Sequence, residues 1–529
     1  MKSYLCFIQT IWVNPHKKIS IMIQSENGAL MHKSSGQPLL DLNFKIPTLR
    51  GLDKKSFVEN FALAKEAYDK DPLLFCKWLF FLRDCRSGMG EKNAFHSLFT
   101  ALANTNAEYA KRLVDLIPYY GSWKDVVELL FCPLPTLVNL SLWHMVALRL
   151  RLDLEAVEDK RPQDVSLLGK WLPSINAGKE SRIRAMEICR MLKTDHASYR
   201  KDLASLREAL QIVERDLCAQ RYGEINYSAV PSVAGLKYSR TFIRHDLERY
   251  KKYILAVAEG REKINTSVLY PHEIYDKYCN HGEYDEYGEY DEAYEQYWKN
   301  LPNKVTDANS TLVVCDGSSS MLQSVAGGST TALSVARSLA IYFSEKLEGA
   351  FANKFITFSS CPQMVDLSHC KSLFEKIDWM QRYDDCSNTD IEKTFQVILN
   401  AAINANTPQE LMPKNVLIIS DMEFDGDVCQ NMEDKKALFD RIAQTFKEHG
   451  YQMPKIIFWN VNSRTNGIPM RENENGVILV SGFSVNICDM VCSGETDPYE
   501  CLLSVLNGER YDNVATALLA QDGIAETCP

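Results

Sequence analysis

At 529 residues the chain is longer than one hydrophobic core normally serves, so two or three domains are expected. An apolar fraction of 46% with 24% charged residues excludes a disordered or low-complexity chain. The net charge of -10 conceals a split: residues 1–275 carry 40 Lys+Arg against 31 Asp+Glu, residues 276–300 carry 2 against 8, and residues 301–529 carry 17 against 30.

A basic first half joined to an acidic second half implies different partners for each. The 16 cysteines include no CxxC pair, and Cys76, Cys189 and Cys315 sit inside apolar runs. They read as reduced, buried thiols of a cytoplasmic protein, not as a disulfide framework or a zinc site.

In chain order, "YLCFIQTIWV" comes first. It is too short to span a bilayer and lacks a small-residue cleavage site, so it reads as an edge strand or as an extension upstream of Met22. Residues 1–26 are set apart on that basis, and no membrane partner is expected. Residues 27–275 then read as helix after helix. Phe57, Phe61, Ala64 and Tyr68 share one face, as do Ala94, Phe95, Leu98, Phe99 and Leu102. Breakers fall between the segments: Pro118 with Gly121, Pro133 with Pro135, Pro173, and Pro231 with Gly235. Short amphipathic helices in succession predict an all-α, HEAT-like helical-repeat domain, although no strict period is present.

Residues 276–305 open with "DKYCNHGEYDEYGEYDEAYEQYWKN". This acidic, tyrosine-rich stretch reads as a solvated linker, or as a segment lying against the basic half and screening it. After it the grammar changes. "TLVVCD" (311–316), "KFITFS" (354–359), "NVLIISD" (415–421), "KIIFWNV" (455–461) and "GVILVS" (476–481) predict strands. Helices are predicted around 331–347, 390–403, 433–449 and 497–507. Doubly apolar strands alternating with helices give a parallel sheet in a doubly wound, Rossmann-like α/β domain over 306–529, with its sites at the carboxyl ends of the strands.

One such end carries D-x-S-x-S: Asp316, Ser318 and Ser320. Thr389 in "CSNTDIEKTF" and Asp421 at the close of "NVLIISD" supply two more hard oxygens. Two carboxylates and three hydroxyls, completed by water, suit Mg²⁺ or Mn²⁺ and not zinc. The alternative is that the hydroxyls only cap a helix and tighten a turn. "GGSTTAL" (327–333) lacks the P-loop lysine, and Glu423 and Asp425 read as solvated loop carboxylates. No Ser–His–Asp or Cys–His grouping stands out, so no enzyme is expected.

"VVCDGSSSM", "SNTDIEKTF" and "LIISDMEF", in that order, resemble the metal-ion-dependent adhesion site of a von Willebrand factor A domain. The resemblance implies that Asp316, Ser318, Ser320, Thr389 and Asp421 surround one divalent cation, with a position left open for water or for a protein ligand's carboxylate. "FFLRDCRSGMGEKNAF" (80–95) and "LIPYYGSWKDVVELL" (116–130), ahead of such a domain, are similar to a bacterial, phage and plant family. That family distantly resembles the TROVE module of Ro-type ribonucleoprotein components. In that case the helical half would bind RNA, small and structured or single-stranded. The basic residues implied are Arg83, Arg86, Lys92, Lys124, Lys170, Lys179, Arg182, Arg184, Lys237, Arg240 and Arg244, with Trp123, Trp171 and Tyr238 stacking on bases. Core packing is the competing reading for the tryptophans, and an ion pair with Asp84 or a neighbouring helix carboxylate for Arg83. The function expected is a non-catalytic RNA-binding or ribonucleoprotein scaffold. The alternative is a metal-dependent protein-interaction module without RNA.

Overall fold

The computed structural model describes residues 22–24, 30–32, 34–46, 49, 54–279, 289–303, 311–325, 329–383, 390–421, 432–462, 477–481 and 497–520. The chain is a helical domain followed by an α/β domain. A short antiparallel pair, β1 (Met22–Gln24) and β2 (Leu30–His32), precedes the helices.

The helical domain runs α1 (Pro38–Phe44), α2 (Lys54–Lys70), α3 (Pro72–Arg83), α4 (Lys92–Thr105), α5 (Ala107–Leu113), α6 (Ile117–Tyr120) and α7 (Trp123–Leu129). It continues with α8 (Thr136–Glu158), α9 (Leu168–Trp171), α10 (Lys179–Leu192), α11 (His196–Ala209), α12 (Val213–Cys218) and α13 (Ser232–Ala258). Local chemistry sets several of the starts. Asp71 accepts from the Leu74 amide ahead of Pro72, Asn106 caps α5, and Asp195 accepts from two amides of α11. Each helix turns its apolar stripe inward: Ala94, Phe95, Leu98, Phe99 and Leu102 of α4 are all buried. Gly235, read above as a breaker, lies inside α13. A methyl group there would stand 2.3 Å from the Tyr297 hydroxyl, so the position needs a residue without a side chain.

Two further helices, α14 (Pro271–Cys279) and α15 (Glu289–Lys299), occupy the acidic, tyrosine-rich stretch. Tyr294, Tyr297 and Trp298 are buried, and α15 packs on α13. The described part of this stretch is therefore a packed layer and not a solvated tether.

The α/β domain is a six-stranded sheet in the order β5-β4-β3-β6-β7-β8. Its strands are β3 (Thr311–Asp316), β4 (Lys354–Phe358), β5 (Met364–Asp366), β6 (Asn415–Ser420), β7 (Lys455–Asn460) and β8 (Val477–Ser481). All neighbours are parallel except the edge pair β4 and β5. The helices are α16 (Ala332–Ser344), α17 (Leu373–Gln381), α18 (Ile391–Asn404), α19 (Met432–Glu448), α20 (Pro498–Leu506) and α21 (Asp512–Leu519). Val313 and Cys315 of β3 face the core shared with α16, while Leu312 and Val314 face the core shared with α18 and α19. Burial on both faces is why the central strands read as unbroken apolar runs.

The two domains meet at several places. α1 packs against β8 and α20, and the Asn460 side-chain amide donates to the Phe44 carbonyl at 3.0 Å. α14 packs on α16, and α21 packs on α3 and α5. The Tyr342 hydroxyl donates to the Pro302 carbonyl at 2.7 Å. Among the described residues no helix is long and apolar enough to cross a membrane.

Candidate cation site and basic surface

The central strands β3 and β6 are adjacent and parallel, with Cys315 opposite Ile419. That register sets Asp316 and Ser420 side by side at the carboxyl edge of the sheet, with Asp421 next. Both aspartates are buried, 2% and 1% exposed. Asp316 accepts from the Ser318 amide at 2.9 Å and from the Ser420 hydroxyl at 2.6 Å. The Ser318 and Ser320 hydroxyls stand 2.9 Å apart. Neither of them caps α16. That role belongs to Thr331, which accepts from the Ser334 amide at 3.1 Å.

Thr389 lies outside the described residues, as do Glu423 and Asp425. The next residue after Thr389, Asp390, donates its amide to the carbonyl of Ser359, which follows β4, the other neighbour of β3. Two hydroxyl residues of this edge were passed over in the sequence. Ser420 bonds directly to Asp316, and Ser359 holds a buried hydroxyl without a hydrogen-bond partner among the described residues. Each stands at the end of a recognisable strand, which was the available signal. Among the described residues no three His, Cys, Asp or Glu side chains converge as a metal cluster. Hydrogen bonds join Asp316, Ser318, Ser320 and Ser420, and Asp421 follows Ser420 in the chain; carboxylates with hydroxyls are the residue types that suit a hard dication.

The basic candidates separate by environment. Arg83 is buried and bonds Asp125 at 2.7 Å. Arg184 pairs with Glu128 and with Glu180, both at 2.9 Å, and Lys170 lies 3.4 Å from Glu214. Arg86 is exposed and donates to the Tyr119 carbonyl at 2.7 Å. Lys179, Arg182, Lys237, Arg240 and Arg244 are exposed on α10 and α13. Lys92 and Lys124 are half-buried. Trp123 and Trp171 pack against the core, as the competing reading held, and so does Tyr238, with Lys237 4.8 Å from its ring centre.

The phrases "RDCRSGMGE" and "YYGSWKD" form a buried ionic junction. Asp125, fully buried, accepts from Arg83 at 2.7 Å, from the Ser122 amide and hydroxyl at 2.8 Å each, and is 2.8 Å from His96 Nε2. Burial pushes its carboxyl up, but the bonds from His96 and Arg83 outweigh burial and hold it well below the usual carboxylate range. Gly121 is required there, since a Cβ would stand 2.6 Å from an Asp125 oxygen. Asp84, also fully buried, binds Arg510 through both carboxylate oxygens and accepts from the Tyr511 hydroxyl at 3.2 Å. The Tyr120 hydroxyl donates to the Arg510 carbonyl at 2.6 Å, and its ring stacks on Tyr511. Arg83 is thus committed to the interior and does not present its guanidinium to an RNA.

Comparison with known proteins corrects the resemblance drawn from the motifs. The family model of a domain of unknown function, DUF2828, matches residues 177–311. That of another domain of unknown function, DUF7788, matches residues 310–505. Neither is the TROVE module nor the von Willebrand factor A domain, so membership of those families is not upheld. The two matches meet where β3 begins, and the first takes in the acidic, tyrosine-rich stretch. An uncharacterized protein, L728, of Acanthamoeba polyphaga mimivirus is 27% identical over 517 residues, which covers 91% of this chain and 86% of the viral protein.

Proposed function

We propose that this protein is a non-catalytic RNA-binding scaffold whose α/β domain carries a divalent cation, Mg²⁺ or Mn²⁺. The observation that carries the RNA reading is the set of exposed cations on α10 and α13. Lys179, Arg182, Lys237 and Arg244 make no ion pair among the described contacts, so their charge is available to phosphates. The helical half serves as an irregular, HEAT-like repeat platform, a reading supported by the successive packing of α2 on α3, α3 on α4 and α4 on α5.

In the α/β domain, Asp316 and Asp421 would supply the charge that holds the cation, with Ser318, Ser320 and Thr389 as neutral oxygen donors. Ser420 fixes the Asp316 carboxylate in place. A second reading, metal-dependent capture of a protein partner's carboxylate, is favoured by the position of Asp316 and Asp421 at the sheet's carboxyl edge, where α/β domains bind their ligands. A single hydroxyl-rich cation site lacks the paired carboxylate geometry of two-metal phosphoryl chemistry, which favours the non-catalytic reading.

Filter binding with labelled RNA across a salt series tests the RNA reading. Affinity is expected to fall steeply with salt, with a log–log slope of about -0.7 per phosphate contacted on a single strand. Absence of binding at low salt rejects it. Calorimetric titration with Mg²⁺ and Mn²⁺ is expected to give one site that Asp316→Ala abolishes. Pull-downs with and without EDTA separate the second reading, which requires protein capture that EDTA reverses and no RNA in the eluate. The RNA should survive incubation with Mg²⁺ intact.

A further inference from the structure

Lys92 opens α4, Lys124 lies in the first turn of α7, and Lys170 lies in α9, and these three helices pack together through α7. Trp171, at the end of α9, is the hub. Lys124 Nζ stands 4.8 Å from its ring centre and Lys170 Nζ 5.6 Å. Lys170 has a carboxylate partner in Glu214. Lys92 and Lys124 have neither an ion pair nor a hydrogen bond among the described contacts, although both are half-buried.

The nearby carboxylates do not fill that gap. Asp125 is held by Arg83 and His96, and Glu128 by Arg184. Burial, and then the charge of Lys124, lower the pKa of Lys92, and the opposing charges of Asp125 and Glu128 do not restore it. Withdrawing an ammonium from water without a counter-charge costs free energy, and placing a second one near it costs more. A cation–π contact offsets part of this for Lys124. For Lys92 the charges of Asp125 and Glu128 act in the favourable direction, but both carboxylates are bonded to other cations, so an incoming anion would add the direct partner that Lys92 lacks among the described contacts. α4 favours one, because its positive dipole end lies at Lys92 and the Glu91 side chain makes no cap there.

We infer that Lys92 and Lys124 form a phosphate-binding cleft, braced by Trp171, and that its ligand is the phosphodiester backbone of a single RNA strand. This rests on the RNA reading above and adds the place and the chemistry. Contact is to phosphate and so is indifferent to sequence. Trp171 acts as a positioning residue that holds the Lys124 ammonium, and not as a base-stacking platform.

The test uses the full chain with both charges removed and both stems kept, as Lys92→Met with Lys124→Met. Binding of labelled oligo(U) is measured from about 50 to 300 mM salt, alongside the melting temperature of each protein. The expected result is a log–log salt slope flatter by about 1.4, two contacts' worth on a single strand. The melting temperature should hold, because neither lysine makes an ion pair or hydrogen bond among the described contacts that its removal would break. If the parent binds RNA and the variant keeps the parental slope, the cleft is overturned and the RNA reading stands. If the slope flattens only with a fall of several degrees in melting temperature, the lysines are structural and the inference is overturned. If the parent binds no RNA at any salt, the RNA reading fails and the inference with it.

Discussion

The side chain on which the helical half most depends is Asp125. It is fully buried and takes up an arginine, a histidine, a backbone amide and a hydroxyl, while Arg83 is nearly as buried. Removing one partner of such a pair strands the other in the interior, which costs about 3–5 kcal/mol. Asp125→Ala should therefore lower the denaturant midpoint with the slope unchanged, and a variant as stable as the parent would refute this account. At this scale the sequence was readable in part. Arg83 was open to pairing with a neighbouring helix carboxylate, but the structure was needed to show that this carboxylate is Asp125, in the first turn of the helix that Ser122 begins. The partner of Asp84 was not readable, because Arg510 lies 426 residues away and no local pattern encodes such a pairing. The oxygen-rich turn at Asp316 was legible from its residue types alone. Its tie to Ser420 was not, because that needs the β3–β6 register.

At the scale of elements, the central strands announced themselves as apolar runs bounded by polar residues. β5 did not, since a three-residue antiparallel edge strand carries too few positions for a period to register. α15 was hidden by composition. Its acidic residues suggested a solvated tether, yet Tyr294, Tyr297 and Trp298 recur at helical spacing and all face inward. The aromatic residues supply the core, Glu292 is exposed, and Glu295 is partly buried against the α/β domain. α21 depends on an element far away in the chain, since the Asp84–Arg510–Tyr511 contacts sit at the turn that precedes it. Asp84→Asn keeps the shape and removes the charge that holds Arg510. Amide exchange over residues 512–519 should then accelerate well beyond the rest of the chain. Exchange raised uniformly, or not at all, would show that α21 is held by other means.

At the scale of the molecule, the helical half meets the α/β domain near its beginning, through α1, and near its end, through α14 and α15. Trp298 Nε1 donates to Glu345 at 3.0 Å, and Glu295 accepts the Leu373 amide at 2.8 Å. With contacts at both ends, limited cleavage within the exposed surface of the helical half should leave the fragments associated under native conditions. Size-exclusion chromatography of nicked protein would then give the parental elution volume, while a denaturing gel shows two pieces. Separation of the pieces on the column would contradict this closure.

One bond in this arrangement reaches further than its size suggests. Thr330, between the oxygen-rich turn and α16, donates its hydroxyl to Asp276 of α14 at 2.6 Å, and its carbonyl accepts the Val325 amide at 2.8 Å. The segment after the turn is therefore stitched on one side to itself and on the other to the helical half. Any rearrangement at the sheet's edge must break that stitch or pull α14 along with it, so events in one domain have a mechanical route by which to be felt in the other.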